Sequence, residues 1–261
     1  MSITQPPTTE VLQHHPVVSR AEWLAARREL LATEKEITRK IDRLSEMRRA
    51  LPWVKIDKEY LFDTPDGRKT LADLFDGRSQ LIVYHFMFGP DWEEGCDGCS
   101  FLSDHFDGAN LHLAHHDVTL VAVSRASLEK LLRFKKRMDW KFPWVSSTGS
   151  DFNFDFHAST SPEQLASGRI LYNFEEIEST GSGEEHHGIS VFFKNPQDEI
   201  FHTYSCYARG VDILCTTYNF LDLTPRGRNE RSTMDWVRLH DQYGRGAAEN
   251  SCQCGPKANP Q

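Results

Sequence analysis

Cys96 and Cys99 stand two residues apart in the stretch Gly95-Cys96-Asp97-Gly98-Cys99-Ser100-Phe101. That spacing suits dithiol chemistry when the pair opens a helix, because unpaired amides and the positive end of the helix dipole then face the sulfurs. A thiolate is favoured on the first cysteine, and the second lies close enough to attack a mixed disulfide formed there. The same spacing also supplies half of a four-ligand zinc site, or an inert pair. Asp91, Glu93, Glu94 and Asp97 crowd the pair. Like charge disfavours a thiolate, so a moderate thiol and a reducing rather than oxidising protein are expected.

Other residue types could join this chemistry. Trp92 and Trp140 are candidate walls of a dithiol pocket, with a place in the core as the plainer reading. Arg125 closes an apolar segment at what would be the carboxyl edge of a sheet, where a cation can stabilise a thiolate or an anionic substrate. His187, after Glu184-Glu185-His186 in a Gly-rich stretch, is a further pocket candidate or a surface-loop residue. Cys206 and Cys215 read as buried small hydrophobes, with Cys206 able to face the site. Cys252 and Cys254 read as an electron relay, as a soft-metal pair with Cys96 and Cys99, or as incidental cysteines of a tail. His112 and His116 have metal-face spacing but no matching carboxylate, so a solvated helix end is expected, and His85 reads as a satisfied core residue. Neither a cofactor nor a dedicated metal site is expected.

The elements that would position these groups are legible. Ser19-Arg20-Ala21-Glu22 is a capping box, predicting a helix to about Ala50. Trp23, Leu30, Ile37 and Leu44 recur every seven residues in it, with Ala26, Ile41 and Met47 on the same stripe. It packs on its own domain or pairs with another subunit, as in a homodimer through this helix. An edge strand is expected over residues 53–62, a turn at Thr64-Pro65-Asp66-Gly67, and buried strands over 81–88 and 118–123. A basic amphipathic helix is expected over 127–138. Strand, helix, strand, helix implies a parallel arrangement with right-handed crossovers. Residues 146–156 read as irregular, 161–164 as a helical turn, 175–188 as an acidic loop, 189–193 and 199–204 as a hairpin, and 211–223 as a closing helix.

The 261 residues hold six cysteines, and 30 Lys+Arg against 38 Asp+Glu give a net charge of −8. No net positive field favours a nucleic-acid partner. No apolar run approaches the roughly 20 residues of a membrane span. Met1 to Glu10 is polar, with Pro6 and Pro7 and without a basic start or apolar stretch, so no secretory signal is expected. A cytoplasmic, reducing setting follows, in which these cysteines are poor candidates for structural disulfides.

The stretch Leu81 to Phe106, the segment Phe142-Pro143-Trp144-Val145-Ser146, the run Phe201-His202-Thr203-Tyr204-Ser205 with Tyr207-Ala208-Arg209-Gly210, and Leu221-Asp222-Leu223-Thr224-Pro225-Arg226-Gly227-Arg228 resemble a bacterial thioredoxin-like family of unknown function, DUF899. The resemblance covers about residues 14–243. It implies an α/β, thioredoxin-like fold: a central mixed sheet flanked by helices, here with a long N-terminal helix. Residues 1–16 would then be a disordered start, 17–50 a helical extension, 51–243 the thioredoxin-like domain and 244–261 a mobile tail. More distantly, the segment around Cys96 resembles the active-site segment of atypical two-cysteine peroxiredoxins. That likeness makes Cys96 the attacking thiol and Cys99 the resolving one, and Phe142-Pro143 resembles the start of a later peroxiredoxin strand. Two departures stand out: Glu93 occupies the place of the peroxiredoxin Thr, and no Pro stands near His187-Gly188, where thioredoxins carry a cis-Pro. The expected activity is thiol–disulfide oxidoreduction on a protein or small-molecule disulfide, recycled by an external thiol reductant. Peroxide reduction through a Cys96 sulfenic acid is the alternative within enzymes, and metal binding or a non-catalytic interaction module the alternatives outside it.

Overall fold

The computed structural model describes residues 15–178 and 184–243; the expected tail over 244–261, with Cys252 and Cys254, and nearly all of the expected disordered start lie outside the described residues. Helix α1 spans Arg20–Arg49. Both halves of its capping box form: the Glu22 amide donates to Ser19 Oγ at 3.3 Å, and the Ser19 amide to Glu22 Oε2 at 2.9 Å. Strand β1, Val54–Lys55, and the hairpin β2, Leu61–Thr64, with β3, Gly67–Thr70, follow. The single edge strand expected over 53–62 is thus two, because Tyr60 turns inward and donates its hydroxyl to Asp155 at 2.8 Å.

Strand β4, Gln80–His85, leads to helices α2, Asp97–Ser103, and α3, Phe106–His115. Strand β5, Val118–Ser124, helix α4, Leu128–Arg137, and strand β6, Trp144–Ser146, come next. The region expected to be irregular contains a one-turn helix α5, Phe152–Asp155, whose Phe152 is buried. Helix α6, Pro162–Ser167, precedes strands β7, Arg169–Tyr172, and β8, Glu175–Glu178. The acidic loop expected from residue 175 therefore begins as a strand. Asn173 and Phe174, at φ 50° and 68°, make the tight turn of a small hairpin whose Ile170 is buried and whose Tyr172 and Phe174 rings pack on Tyr207. Strands β9, Gly188–Lys194, and β10, Ile200–Tyr207, form the expected hairpin. The closing helix is broken into a 3-10 segment, Ala208–Leu214, and α7, Thr216–Leu221. Cys215, at φ −79° and ψ 76°, is the break, and His105 there accepts the Thr217 amide at 3.3 Å.

The main sheet has the order β1-β10-β9-β4-β5-β6-β2-β3. Strands β4, β5 and β6 are parallel, while β9 joins β4 and β10 joins β9 antiparallel. With a dithiol helix following the central strand, this mixed sheet is the thioredoxin-like arrangement. One face is covered by α2, α3, α4 and α7 through Cys99, Phe101, Phe106, Leu131, Phe134 and Tyr218. The other is covered by the 3-10 turn at Leu74-Phe75 and by Phe152 and Phe156. Alternation along β4 sends Tyr84 to the first core and Val83 to the second. Among the described residues, no helix is long and apolar enough to cross a membrane.

Candidate redox site

Strand β4 delivers the chain to the dithiol, and Met87 clamps the pair to the strand end with both backbone groups. The Cys96 amide donates to the Met87 carbonyl at 3.1 Å, and the Met87 amide donates to Cys99 Sγ at 3.4 Å. Cys96 caps α2, and its carbonyl accepts the Ser100 amide and hydroxyl, both at 2.9 Å. Cys96 is half-buried, Cys99 is buried, and both are free thiols. The flanking glycines are there for space. A Cβ on Gly95 would lie 2.7 Å from Phe86, and one on Gly98 would lie 2.9 Å from Met234 Sδ.

The two sulfurs hydrogen-bond each other and titrate as a pair. Burial works to raise the Cys99 thiol, but hydrogen bonds from the Cys96 thiol, the Tyr84 hydroxyl and the Met87 amide outweigh it and hold Cys99 below the ordinary value. The hydrogen bond to Cys99, then burial, then the Cys99 charge push Cys96 well above it, against the Cys99 and Gly98 amides. The donors expected to favour the first cysteine gather instead on the second: Cys96 meets two opposing amides, while Cys99 is lowered by three donors. Two of the four nearby carboxylates are held by cations. Glu93 pairs with Lys130 at 3.3 Å and Arg133 at 3.6 Å, and Glu94 pairs with Arg137.

The remaining candidates divide. Trp92 is half-buried and packs on the same core as Cys96. Trp140 is not a pocket wall: it is buried among Phe86, Phe134, Phe142 and Trp144, and its indole donates to Asp104 at 2.7 Å. Arg125 follows β5 directly, donates to Glu185 at 2.8 Å and stacks 4.6 Å from the Phe154 ring centroid. His187, with its titration pushed down by burial, donates Nε2 to the Ala208 carbonyl at 3.2 Å. Cys206 is half-buried against Gly210, and Cys215 is fully buried, its thiol pushed up to about 11 by burial. His85 is a core residue whose Nε2 lies 2.8 Å from Ser190 Oγ. Among the described residues, no group of three or more His, Cys, Asp or Glu side chains could hold a metal ion.

Tyr84, which hydrogen-bonds Cys99, and Glu185, the buried partner of Arg125, are residues that the sequence reading missed. The signal for Tyr84 was a polar tip in an otherwise apolar strand; Glu185 gave none, lying among other acids. Glu185 is 3% exposed, and it accepts from Arg125 and, at 2.8 Å, from Ser159. Burial raises its carboxyl to about 7 against the pull of Arg125. The folded value lies above the unfolded one, so between about pH 4.5 and 7 the folded protein keeps a proton that the unfolded chain has lost. The resulting stabilisation is complete below that window and gone above it. Relative to Glu185→Gln, the wild type is expected to lose about 3 kcal/mol across the window, since each pH unit is worth about 1.4 kcal/mol. Urea unfolding of both proteins at pH 5 and pH 8 measures it; parallel behaviour of the two would contradict the raised carboxyl.

Gly188 begins β9 at the place where the cis-Pro is missing. A Cβ there would sit 2.3 Å from Tyr207 Cδ1 and 2.9 Å from the Cys206 carbonyl. The Tyr207 ring cannot swing away, because its hydroxyl holds the Phe156 carbonyl at 2.6 Å. Gly188→Ala is expected to destabilise the fold by about 1–3 kcal/mol, as overpacking does. An unchanged denaturant midpoint would show that the strand pair has slack.

The sequence pattern of a family described as a bacterial protein of unknown function, DUF899, matches residues 12–243. No curated protein matches the chain. Solved structures similar to it include a mutant of PrxQ from Xylella fastidiosa, at 13% identity over 62% of this chain and 88% of that one, with a TM-score of 0.40. Peroxidoxin BcpB from Mycobacterium tuberculosis is 10% identical over 64% of this chain and 95% of that one, with a TM-score of 0.38. A mutant of peroxiredoxin Q from Xanthomonas campestris is 13% identical over 61% and 90%, also with a TM-score of 0.38.

Proposed function

The chain belongs to DUF899, a family of bacterial proteins of unknown function, and on that premise we propose that it is a thiol–disulfide oxidoreductase. The observation that carries this reading is the pair of free thiols just beyond the end of β4, one half-buried and one buried, with Met87 bonded to both residues. Cys96, as thiolate, attacks a substrate disulfide. A Cys96–substrate bond forms, and the leaving sulfur departs as a thiolate and takes a proton. Cys99, as thiolate, then attacks Cys96 Sγ, forms the Cys96–Cys99 disulfide and releases the second substrate thiol. Two electrons pass from the dithiol to the substrate, and an external thiol reductant returns them. Residues 51–243 would form the catalytic domain, residues 17–50 an extension, and the setting would be the reducing cytoplasm.

The test is turnover of a small disulfide by the whole chain with a thiol reductant as recycler. Consumption of the disulfide supports the reading. Consumption of hydrogen peroxide alone would replace it with thiol peroxidase chemistry through a Cys96 sulfenic acid, and consumption of neither would end the enzymatic reading.

A further inference from the structure

Helix α1 is 30 residues long, about 45 Å at 1.5 Å per residue, and none of it is buried. Leu30 is 54% exposed, Ile37 51% and Met47 56%. The last turn of the helix meets the body, where Arg48 lies 5.5 Å from the Tyr204 ring centroid. The direction of the helix is set just beyond it: Trp53 packs on Phe193 and Phe201, and Val54 pairs with His202. Most helical stability comes from packing an apolar face, so a stripe of this length in water calls for a partner.

The spacing identifies the partner as another helix. Trp23, Leu30, Ile37 and Leu44 repeat every seven residues, and Leu51 continues the series past the helix end. A strict seven-residue period keeps one seam against a facing helix, whereas a flat surface is matched by 3.6. Charge identifies which helix and which way. Lys40 lies in the seam, seven residues before Met47, and a parallel copy would set it against itself, whereas Arg27 and Glu34 on the flank pair with each other within the helix at 2.8 Å. An antiparallel copy with its two-fold near Lys35 sets the first-turn acid, Glu22, beside Arg48 and Arg49 of the last turn. It also places Ala26 opposite Leu44 and Thr33 opposite Ile37, small against large, and sets Lys40 opposite Leu30 instead of against its own copy. The two bodies then lie at opposite ends of the helix pair.

We propose that α1 forms an antiparallel, two-fold symmetric helix pair with a second copy of this chain. The proposal is independent of the redox reading. Sedimentation equilibrium of the full chain in reducing buffer is expected to give twice the chain mass, and Leu30→Glu with Ile37→Glu is expected to give a single chain with an unchanged thiol titration. A single-chain wild type, whether its stripe folds back or waits for a different partner, would overturn the proposal, as would a dimer indifferent to the double substitution. Orientation is read by oxidising a mixture of Ala26→Cys and Leu44→Cys chains and mapping linked peptides by mass. The expected product joins the two introduced thiols across chains; each variant linking to itself would mean parallel helices and overturn the arrangement.

Discussion

Cys99→Ser is expected to hold its substrate as a stable mixed disulfide on Cys96, while Cys96→Ser loses disulfide turnover by at least about a thousandfold, the scale on which removal of a nucleophile acts. The asymmetry follows from burial. Cys96 is half-buried and can meet a substrate sulfur, whereas Cys99 is buried beneath it and can meet only Cys96. Removing the buried sulfur leaves the first bond-forming step open and closes the second. Intact-mass measurement after mixing with a small disulfide checks this, with a mass increase of one substrate half on Cys99→Ser. An adduct on Cys96→Ser instead would reverse the two roles.

Tyr84→Phe is expected to lower the thiolate fraction of the dithiol about tenfold on the acid side of its titration, and to slow the resolving step by a similar factor. The hydroxyl is one of three donors that hold Cys99 down, and a hydrogen bond to a charged group is worth about 1.5–3 kcal/mol. Packing is preserved, since the ring keeps its edge-on contacts with Phe86 and Phe106. Thiolate absorbance against pH measures the effect without reference to any substrate. An unchanged titration with an unchanged melting temperature would show that the Met87 amide and the Cys96 thiol suffice.

The parts of the fold readable in the sequence are those fixed by local rules. Ser19 with Glu22 and Ser161 with Gln164 cap their helices as capping boxes, and the apolar runs of β4 and β5 are buried central strands. The placing of Cys96 and Cys99 at a helix start after a buried strand belongs with them. What escaped the reading depends on partners distant in sequence. Tyr84 and Met87 supply donors that lower Cys99, and the pairing of Arg125 joins residues sixty apart. Trp92 and Trp140 look alike as letters, yet one is half-buried beside the site core and the other is closed into it. The break at Cys215 and the β7–β8 hairpin escaped because backbone geometry, rather than side-chain periodicity, makes them.

The central claim is that Cys96 and Cys99 exchange two electrons with a disulfide. It is tested most directly by mixing the reduced chain with one equivalent of a small disulfide, quenching in acid, alkylating, and weighing every cysteine peptide. Two small thiols released per chain and two protein thiols lost are expected, both in the peptide that carries Cys96 and Cys99. Full alkylation of that peptide, with the lost thiols at Cys206, Cys215 or the C-terminal pair, would contradict it.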